Sequence, residues 1–119
     1  MDIRLKRAYE PASQDDGYRV LIDRLWPRGV SRRQAELNDW DKALPPSTEL
    51  RRWFGHDPSR FEEFRRRYIE ELRKKRPRLA ALRRRAREGT LTLVYSARDT
   101  EHNDAVVLAE VLRRGLPHS

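Results

Sequence analysis

Short apolar runs alternate along this chain with longer segments of helical periodicity, and this alternation restricts the possible folds more than any other feature. Residues 3–9 alternate apolar and basic side chains, as a half-exposed strand does. Residues 18–23 contain a continuous apolar run, which is typical of a strand buried on both faces. Residues 90–96 form a third run of this kind. Because helical segments separate the later strands, the pattern predicts a small α/β domain with a short, parallel, three-stranded sheet.

The helical segments are recognised from the spacing of their apolar residues and from the residues that begin and end them. The longest is predicted to begin with Asp57 as its cap and Pro58 in its first turn. Its buried stripe recurs every three or four residues, at Phe61, Phe64, Tyr68 and Leu72. The other helices are expected after Ser31, over 48–54, from Pro77 to Gly89, and from about Thr100 to Arg114.

Length and composition bound the remaining possibilities. The 119 residues favour a single domain over 1–119, in which we expect residues 116–119 to form a disordered tail. The chain has no cysteine, which excludes disulfides, thiolate catalysis and cysteine-ligated metals. No apolar run approaches the ~18 residues that a membrane span needs, and the first residues do not resemble a signal peptide. We therefore expect a cytoplasmic protein without a membrane partner.

The positive charge is concentrated in one part of the chain. Of 27 basic residues, 15 lie between positions 51 and 87, together with only 5 of the 19 acidic ones. Many of these form glutamate–arginine or glutamate–lysine pairs at helical spacing, so one interpretation is a solvated helix face. The alternative is a nucleic-acid-binding surface over residues 73–87, because clustered arginines bind phosphates. Its candidate residues are Arg73, Arg76, Arg78, Arg83, Arg84, Arg85 and Arg87.

A first candidate site follows directly after the second strand. Ligands of open α/β sheets bind beyond the carboxyl ends of the strands. The guanidinium groups of Arg24 and Arg28, beside the ring of Trp26, can hold a carboxylate or phosphate there. The alternative is structural: Asp23 and Arg24 form an internal ion pair, and Trp26 fills the edge of the core.

A second candidate site lies in the turn after the third strand. The turn leads into the last helix, whose free N–H groups and positive dipole end favour an anion. Ser96, Arg98 and Asn103 are the side-chain donors in this turn, and His102 is a candidate for proton transfer. In the alternative interpretation the turn only caps the helix, and His102 faces solvent.

A third cluster surrounds His56. The imidazole can act as an acid or base, and Trp53 nearby can provide an apolar wall. Gly55 and Asp57, however, have structural roles as a helix end and a helix cap, and Trp53 and Phe54 are better suited to the core than to a cofactor site. The histidines lack the spacing of a metal site, and we predict neither a metal nor another cofactor.

These clusters also carry a family resemblance that extends over nearly the whole chain. The matching segments are residues 6–10 (KRAYE), 16–29 (DGYRVLIDRLWPRG), 47–58 (STELRRWFGHDP), 68 with 71–72, and 93–99 (LVYSARD) continued by 101–103 (EHN) and 107–108 (VL). In them the chain resembles the YeaO-like branch of the domain of unknown function 488 family. The resemblance implies a small cytoplasmic bacterial or archaeal α/β protein and assigns no reaction. Other branches carry a cysteine where this chain has Tyr95, so no thiol chemistry carries over.

The leading functional hypothesis is a site for an acidic small molecule, carrying a phosphate, nucleotide or carboxylate group, at the strand ends. Its predicted ligand-binding residues are Arg7, Arg24, Trp26, Arg28, Trp53, Ser96, Arg98 and Asn103. If the protein is an enzyme, His102 or His56 is the candidate proton carrier, but the sequence names no reaction. The alternatives are a nucleic-acid-binding module that uses residues 73–87, and a structural or regulatory protein without a ligand of its own.

Overall fold

A parallel sheet of four strands runs through the computed structural model, which describes residues 1–118. The strands are β1 (Asp2–Arg7), β2 (Tyr18–Leu21), β3 (Asp39–Trp40) and β4 (Thr90–Tyr95), in the order β1-β4-β2-β3. Strand β4 is therefore central, and its Leu93 pairs with Leu5 of β1 and with Val20 of β2. The predicted α/β class and the parallel sheet are confirmed.

The sheet has one strand more than the three predicted. Strand β3 contains only two residues and pairs with Val20 and Leu21 at the edge of the sheet. A strand of two residues cannot display the alternation by which strands are recognised in a sequence, and Asp is not typical of strands. Its pairing depends on the neighbouring strand rather than on its own pattern.

Five α-helices surround the sheet within the described residues, and 3-10 turns join some of them. The helices are α1 (Arg32–Ala35), α2 (Thr48–Phe54), α3 (Phe61–Leu72), α4 (Arg76–Glu88) and α5 (Asp104–Arg114). The 3-10 turns are Gln14–Asp16, Pro58–Arg60 and Arg73–Lys75. As predicted, Ser31 and Ser47 cap α1 and α2, and Gly55 ends α2.

Two helix beginnings differ from the prediction. Asp57 caps the 3-10 turn at Pro58, and α3 follows that turn. Helix α5 begins at Asp104 rather than near Thr100. The reason is that the Asp99 carboxylate accepts hydrogen bonds from the N–H groups of the residues two and three positions later, which holds the chain in a turn.

The main core lies on one face of the sheet, under α2 to α5. From the sheet it receives side chains such as Val20, Ile22 and Leu93. The predicted stripe of α3 is confirmed, with three members buried and Phe61 partly buried. A smaller apolar cluster, centred on Leu21 and Val94, covers the opposite face. Because successive strand residues point to opposite faces, both faces are apolar, as expected of a buried parallel sheet.

Near the end of the described residues, Leu116 and Pro117 contact the rest of the protein. Leu116 is partly buried against the main core, and the Pro117 carbonyl accepts a hydrogen bond of 2.6 Å from Arg73. The expected disordered tail over 116–119 falls partly on Ser119, which lies outside the described residues, and it stays a prediction.

Candidate functional site

A cleft opens at the carboxyl ends of β2 and β4, between α2 and the beginning of α5. Its volume of about 760 Å³ lies within the range of small-molecule sites. Phe54, Phe64 and Asn103 are buried in it, whereas arginine and histidine side chains on its rim are exposed. The full lining comprises Asp23, Pro46, Thr48, Arg51, Arg52, Phe54, His56, Phe64, Ser96, Ala97, Arg98, Asp99, Asn103 and Asp104.

The parallel pairing of β2 with β4 brings the two strand ends together. The N–H of Ile22 donates to the carbonyl of Val94 at 3.0 Å. The residues that follow β2 and β4 therefore leave the sheet side by side. There the Asp23 carboxylate accepts hydrogen bonds from the N–H of Ser96 at 2.9 Å and from its hydroxyl at 2.8 Å. Asp23 thus joins the two loops instead of pairing with Arg24.

Two partly buried carboxyl groups, those of Asp23 and Asp104, line the cleft and influence each other's charge, and we call the part that they line its inner side. Burial raises the pKa of Asp23, although the bonds from Ser96 oppose the rise. Burial also raises the pKa of Asp104 to about 7, and the negative charge of Asp23 adds to this rise while Arg51 opposes it. At neutral pH the Asp104 carboxyl is therefore protonated for a substantial fraction of the time.

Three guanidinium groups and one imidazole form the exposed rim of the cleft: Arg51, Arg52, His56 and Arg98. The first two are on α2, and Arg98 is in the loop after β4. Within residues 1–118, none of the three arginine side chains makes a hydrogen bond, an ion pair or a contact with an aromatic ring. His56 adopts a left-handed backbone conformation, with φ 56°, and its ring lies 6.3 Å from that of Phe54.

Two other arginines of the predicted site support the cleft from behind. Arg7 donates from Nε to the Ala97 carbonyl at 2.9 Å. Arg24 donates from Nε to the Pro46 carbonyl at 2.8 Å. Because both acceptors belong to the cleft lining, these guanidinium groups fix the loops that form its walls and do not project into it.

Like Arg7 and Arg24, three further predicted residues lie outside the cleft lining. Arg28 is exposed in the turn after β2. Trp26 packs in the smaller apolar cluster, with its ring centre 5.4 Å from that of Trp40 and its Nε1 donating to the Val30 carbonyl. Trp53 is partly buried against the main core and is covered by two arginine side chains.

The remaining predicted residues lie around the beginning of α5. Ser96 and Asn103 line the cleft, but the Asn103 side chain is occupied, since its Oδ1 caps α5 at Val106 and its Nδ2 donates to the Asp99 carbonyl. His102 is not part of the lining, and its Nδ1 lies 2.9 Å from the Asp99 carboxylate. Of the two histidine candidates, only His56 borders the cleft.

Several lining residues were not among those predicted from the sequence: Asp23, Arg51, Arg52, Phe54, Phe64 and Asp104. Asp104 carries no special signal, because an acidic residue in the first turn of a helix is ordinary. The two arginines of α2 belong to the basic segment, and their position at the cleft depends on how α2 packs. Phe54 and Phe64 have the spacing of core residues and also form the apolar wall.

The comparisons with known proteins agree on one relationship. The family model described as "Inactive DUF488-N3 subclade" matches residues 2–119. The chain belongs to the DUF488 family. It is 46% identical over 113 residues to the Escherichia coli K12 protein named "Uncharacterized protein YeaO". The matched residues cover 95% of this chain and 98% of that protein. The resemblance inferred from the sequence is confirmed.

Mycobacterial DUF488 relatives are similar to the chain at a comparable level. "Uncharacterized protein Rv3073c" of Mycobacterium tuberculosis H37Rv and "Uncharacterized protein Mb3100c" of Mycobacterium bovis are each 42% identical over 110 residues, which cover 92% of both chains. No solved structure matches the chain significantly. Three of the DUF488-like segments, residues 16–29, 47–58 and 93–99, contribute lining residues to the cleft.

The basic segment of this DUF488 protein is partly used within the molecule. Arg73 binds Glu70 and the Pro117 carbonyl, and Arg78 binds the buried Asp41 at 3.1 Å. Two further side chains bind other elements: Arg83 donates to carbonyls of α5, and Arg85 covers the Tyr18 ring. Among residues 1–118, no partner is found for Arg76, Arg84 and Arg87, which are exposed.

The described part of the DUF488 domain shows neither a metal-binding cluster nor a membrane-spanning helix. Among residues 1–118, no three histidine, aspartate or glutamate side chains are grouped so that they can hold a metal ion. Over the same residues, no helix combines the length and the apolar character needed to cross a bilayer.

Proposed function

We propose that this protein binds an anionic small molecule, with a phosphate, nucleotide or carboxylate group, in the cleft at the carboxyl ends of β2 and β4. The observation that carries the proposal is the exposed rim, where the guanidinium groups of Arg51, Arg52 and Arg98 make no hydrogen bond or ion pair within the described residues. Guanidinium groups bind carboxylates and phosphates through two parallel hydrogen bonds. Three such groups converge on one concave, partly apolar site.

The inner carboxyl groups influence where the anion binds. Asp23 and Asp104 lie on the inner side, and their negative charge repels an anion there. Partial protonation of Asp104 near neutral pH weakens this repulsion. The anionic group is therefore expected at the rim, against Arg51 and Arg98, rather than at the bottom of the cleft.

A binding role is favoured over a catalytic one. The matching family model is described as inactive, and this description supports a protein that binds a ligand without transforming it. The groups around the cleft point the same way. His102, one of the two histidine candidates, is engaged with Asp99 outside the lining, and the hydroxyl of Ser96 donates to Asp23.

The test measures thermal stability of the full chain with sodium phosphate, citrate or AMP at constant ionic strength. A ligand that binds only the native state raises the melting temperature with its concentration, according to its Kd. Ionic strength is held constant with sodium chloride, and the comparison is made between variants, because such anions also stabilise proteins by exclusion from the surface.

The variants separate the cleft from the rest of the positive surface. Arg51→Ala and Arg98→Ala should each lose most of the ligand-dependent stabilisation. Arg84→Ala and Arg28→Ala are the matched controls, since both side chains are exposed and lie outside the cleft lining, and they should respond as the parent does. An unchanged response in both cleft variants would refute the proposal, and a loss in Arg28→Ala would return the site to the turn after β2.

A further inference from the structure

We propose that the ligand is bifunctional: it joins its anionic group to a ring with nitrogen-borne hydrogen-bond donors, which the carboxyl groups of Asp23 and Asp104 accept. The inference rests on the proposed function and names the chemical class of its ligand. Its basis is that one cleft combines exposed guanidinium groups with two less exposed carboxyl groups on its inner side.

The inner carboxyl groups offer free acceptor atoms. Both hydrogen bonds from Ser96 reach Oδ2 of Asp23. Within residues 1–118, Oδ1 of Asp23 accepts no hydrogen bond, and the Asp104 carboxyl accepts hydrogen bonds from the backbone N–H groups of Asp104 and Ala105 but none from another side chain. An ionised carboxylate has about four acceptor positions and no donor, and a protonated Asp104 keeps its carbonyl oxygen as an acceptor, so both groups can accept hydrogen bonds from N–H groups.

The size of the cleft also exceeds what a simple anion needs. Phosphate or sulfate would occupy a small part of the 760 Å³ and would leave the inner carboxyl groups unused. A ligand with an anionic end and a donor-bearing end would use both halves. Opposite charges at the two ends also fix the orientation of such a ligand, because each end repels the wrong group.

The apolar part of the lining favours a ring. Pro46, Phe54, Phe64 and Ala97 belong to it, although the two phenyl rings stack on each other and are almost fully buried. An apolar lining gives contact to the flat body of a ring. A nucleobase joined to a phosphate has all three properties, whereas an aminoalkyl phosphate has only the charges, so the two classes can be distinguished.

The experiment is calorimetric titration of the full chain with ligands that differ in one property each. AMP, GMP and CMP carry N–H donors on a ring, and purine riboside 5′-monophosphate keeps the ring without the amino group. Ribose 5-phosphate lacks the ring, and phosphoethanolamine has an ammonium group without a ring. The tightest of the first three should bind at least about tenfold more tightly than ribose 5-phosphate and purine riboside 5′-monophosphate, which is about 1.4 kcal/mol.

A variant then connects this preference to the carboxyl pair. Asp104→Asn should reduce the preference to less than about threefold while the affinity for ribose 5-phosphate is kept or improved. Asp15→Asn is the matched control, because its carboxylate is exposed and outside the lining, and it should retain the full preference. The folding of each variant is checked by urea denaturation.

The possible results separate the two proposals. If ribose 5-phosphate binds as tightly as every nucleotide, and still depends on Arg98, the bifunctional ligand is refuted and anion binding stands. If phosphoethanolamine exceeds all nucleotides, the ring is refuted. If Asp104→Asn keeps the full preference, the carboxyl pair is not the acceptor. If no anion binds at all, both proposals fail.

Discussion

The carboxyl group of Asp104 shows how burial can outweigh a favourable position in a helix. As the first residue of α5, Asp104 lies where the helix dipole stabilises negative charge, an effect of about 0.3–1 kcal/mol. Burial and the charge of Asp23 nevertheless raise its pKa from 3.8 to about 7, a shift that corresponds to at most about 4 kcal/mol. The environment of the cleft therefore decides the protonation state of this residue.

This raised pKa predicts a specific pH dependence of stability. The native state holds a proton on Asp104 over a range in which the unfolded chain has lost it, so its contribution to the free energy of unfolding falls from about pH 4 to about pH 7. Asp104→Asn removes this contribution. Between pH 5 and pH 8, the stability of the variant relative to the parent should rise by about 2–3 kcal/mol, measured by urea denaturation.

The effect is tested by comparing the pH dependence of the stability of the parent with that of Asp104→Asn. Asp23 lines the same cleft, and its charge contributes to the raised pKa of Asp104, so the comparison reports the titration of this carboxyl pair. The control is Asp15→Asn, which replaces an exposed carboxylate. The stability of this variant relative to the parent should not change over this range. Parallel pH profiles of the parent and Asp104→Asn would show that Asp104 is ionised normally.

At the scale of elements, α3 connects the core to the cleft. Phe64 on its buried face is only 1% exposed and stacks against Phe54 of α2. Arg66 on the opposite face is exposed and contacts Glu63. The same helix therefore carries one residue that holds two elements together and one that faces water.

This asymmetry predicts very different costs of truncation. Phe64→Ala should lower the free energy of unfolding by about 3–5 kcal/mol, because it removes a ring from a closely packed core. Arg66→Ala should cost less than about 1 kcal/mol, as is usual for an exposed ion pair. Urea denaturation of both variants measures the two values, and equal losses would contradict the orientation of α3.

The elements also show what could be predicted from this sequence. The stripe from Phe61 to Leu72 and the apolar run at residues 20–22 depend on local periodicity, and both predictions agree with the structure. Strand β3 is too short to have a period. The beginning of α5 depends on the competition between the Asp99 carboxylate and the helix for the same N–H groups, which the residue types alone do not decide.

For the candidate site, the sequence predicts the position of the cleft but not the role of each residue in it. Parallel strands end at the same edge, so a cleft near Ser96 and Arg98 follows from the fold class. The roles of Arg7 and Arg24 do not, because a sequence shows that a guanidinium is present but not that backbone carbonyls already occupy it. The contributions of Arg51 and Asp104 depend on how two helices pack around the strand ends.

At the scale of the whole molecule, the basic side chains that give the net charge of +8 have several separate roles. Rim arginines surround the cleft, Arg7 and Arg24 hold its loops, and part of the segment 73–87 binds other elements. A surface that binds nucleic acid needs guanidinium groups that are free to reach successive phosphates. Three of the seven arginines in that segment meet this condition within the described residues: Arg76, Arg84 and Arg87.

The molecule should therefore bind a generic DNA duplex weakly. Each neutralised phosphate contributes about 0.9 to the slope of log K against log salt concentration. Three free arginines predict a contribution of at most about 3, and a triple variant with Arg76, Arg84 and Arg87 changed to Gln should lose no more than that. Fluorescence anisotropy between about 50 and 200 mM salt measures both slopes. A parent slope of about 6 or more that collapses in the triple variant would instead identify α4 as a nucleic-acid-binding helix, since only a surface that engages many phosphates at once gives so steep a dependence.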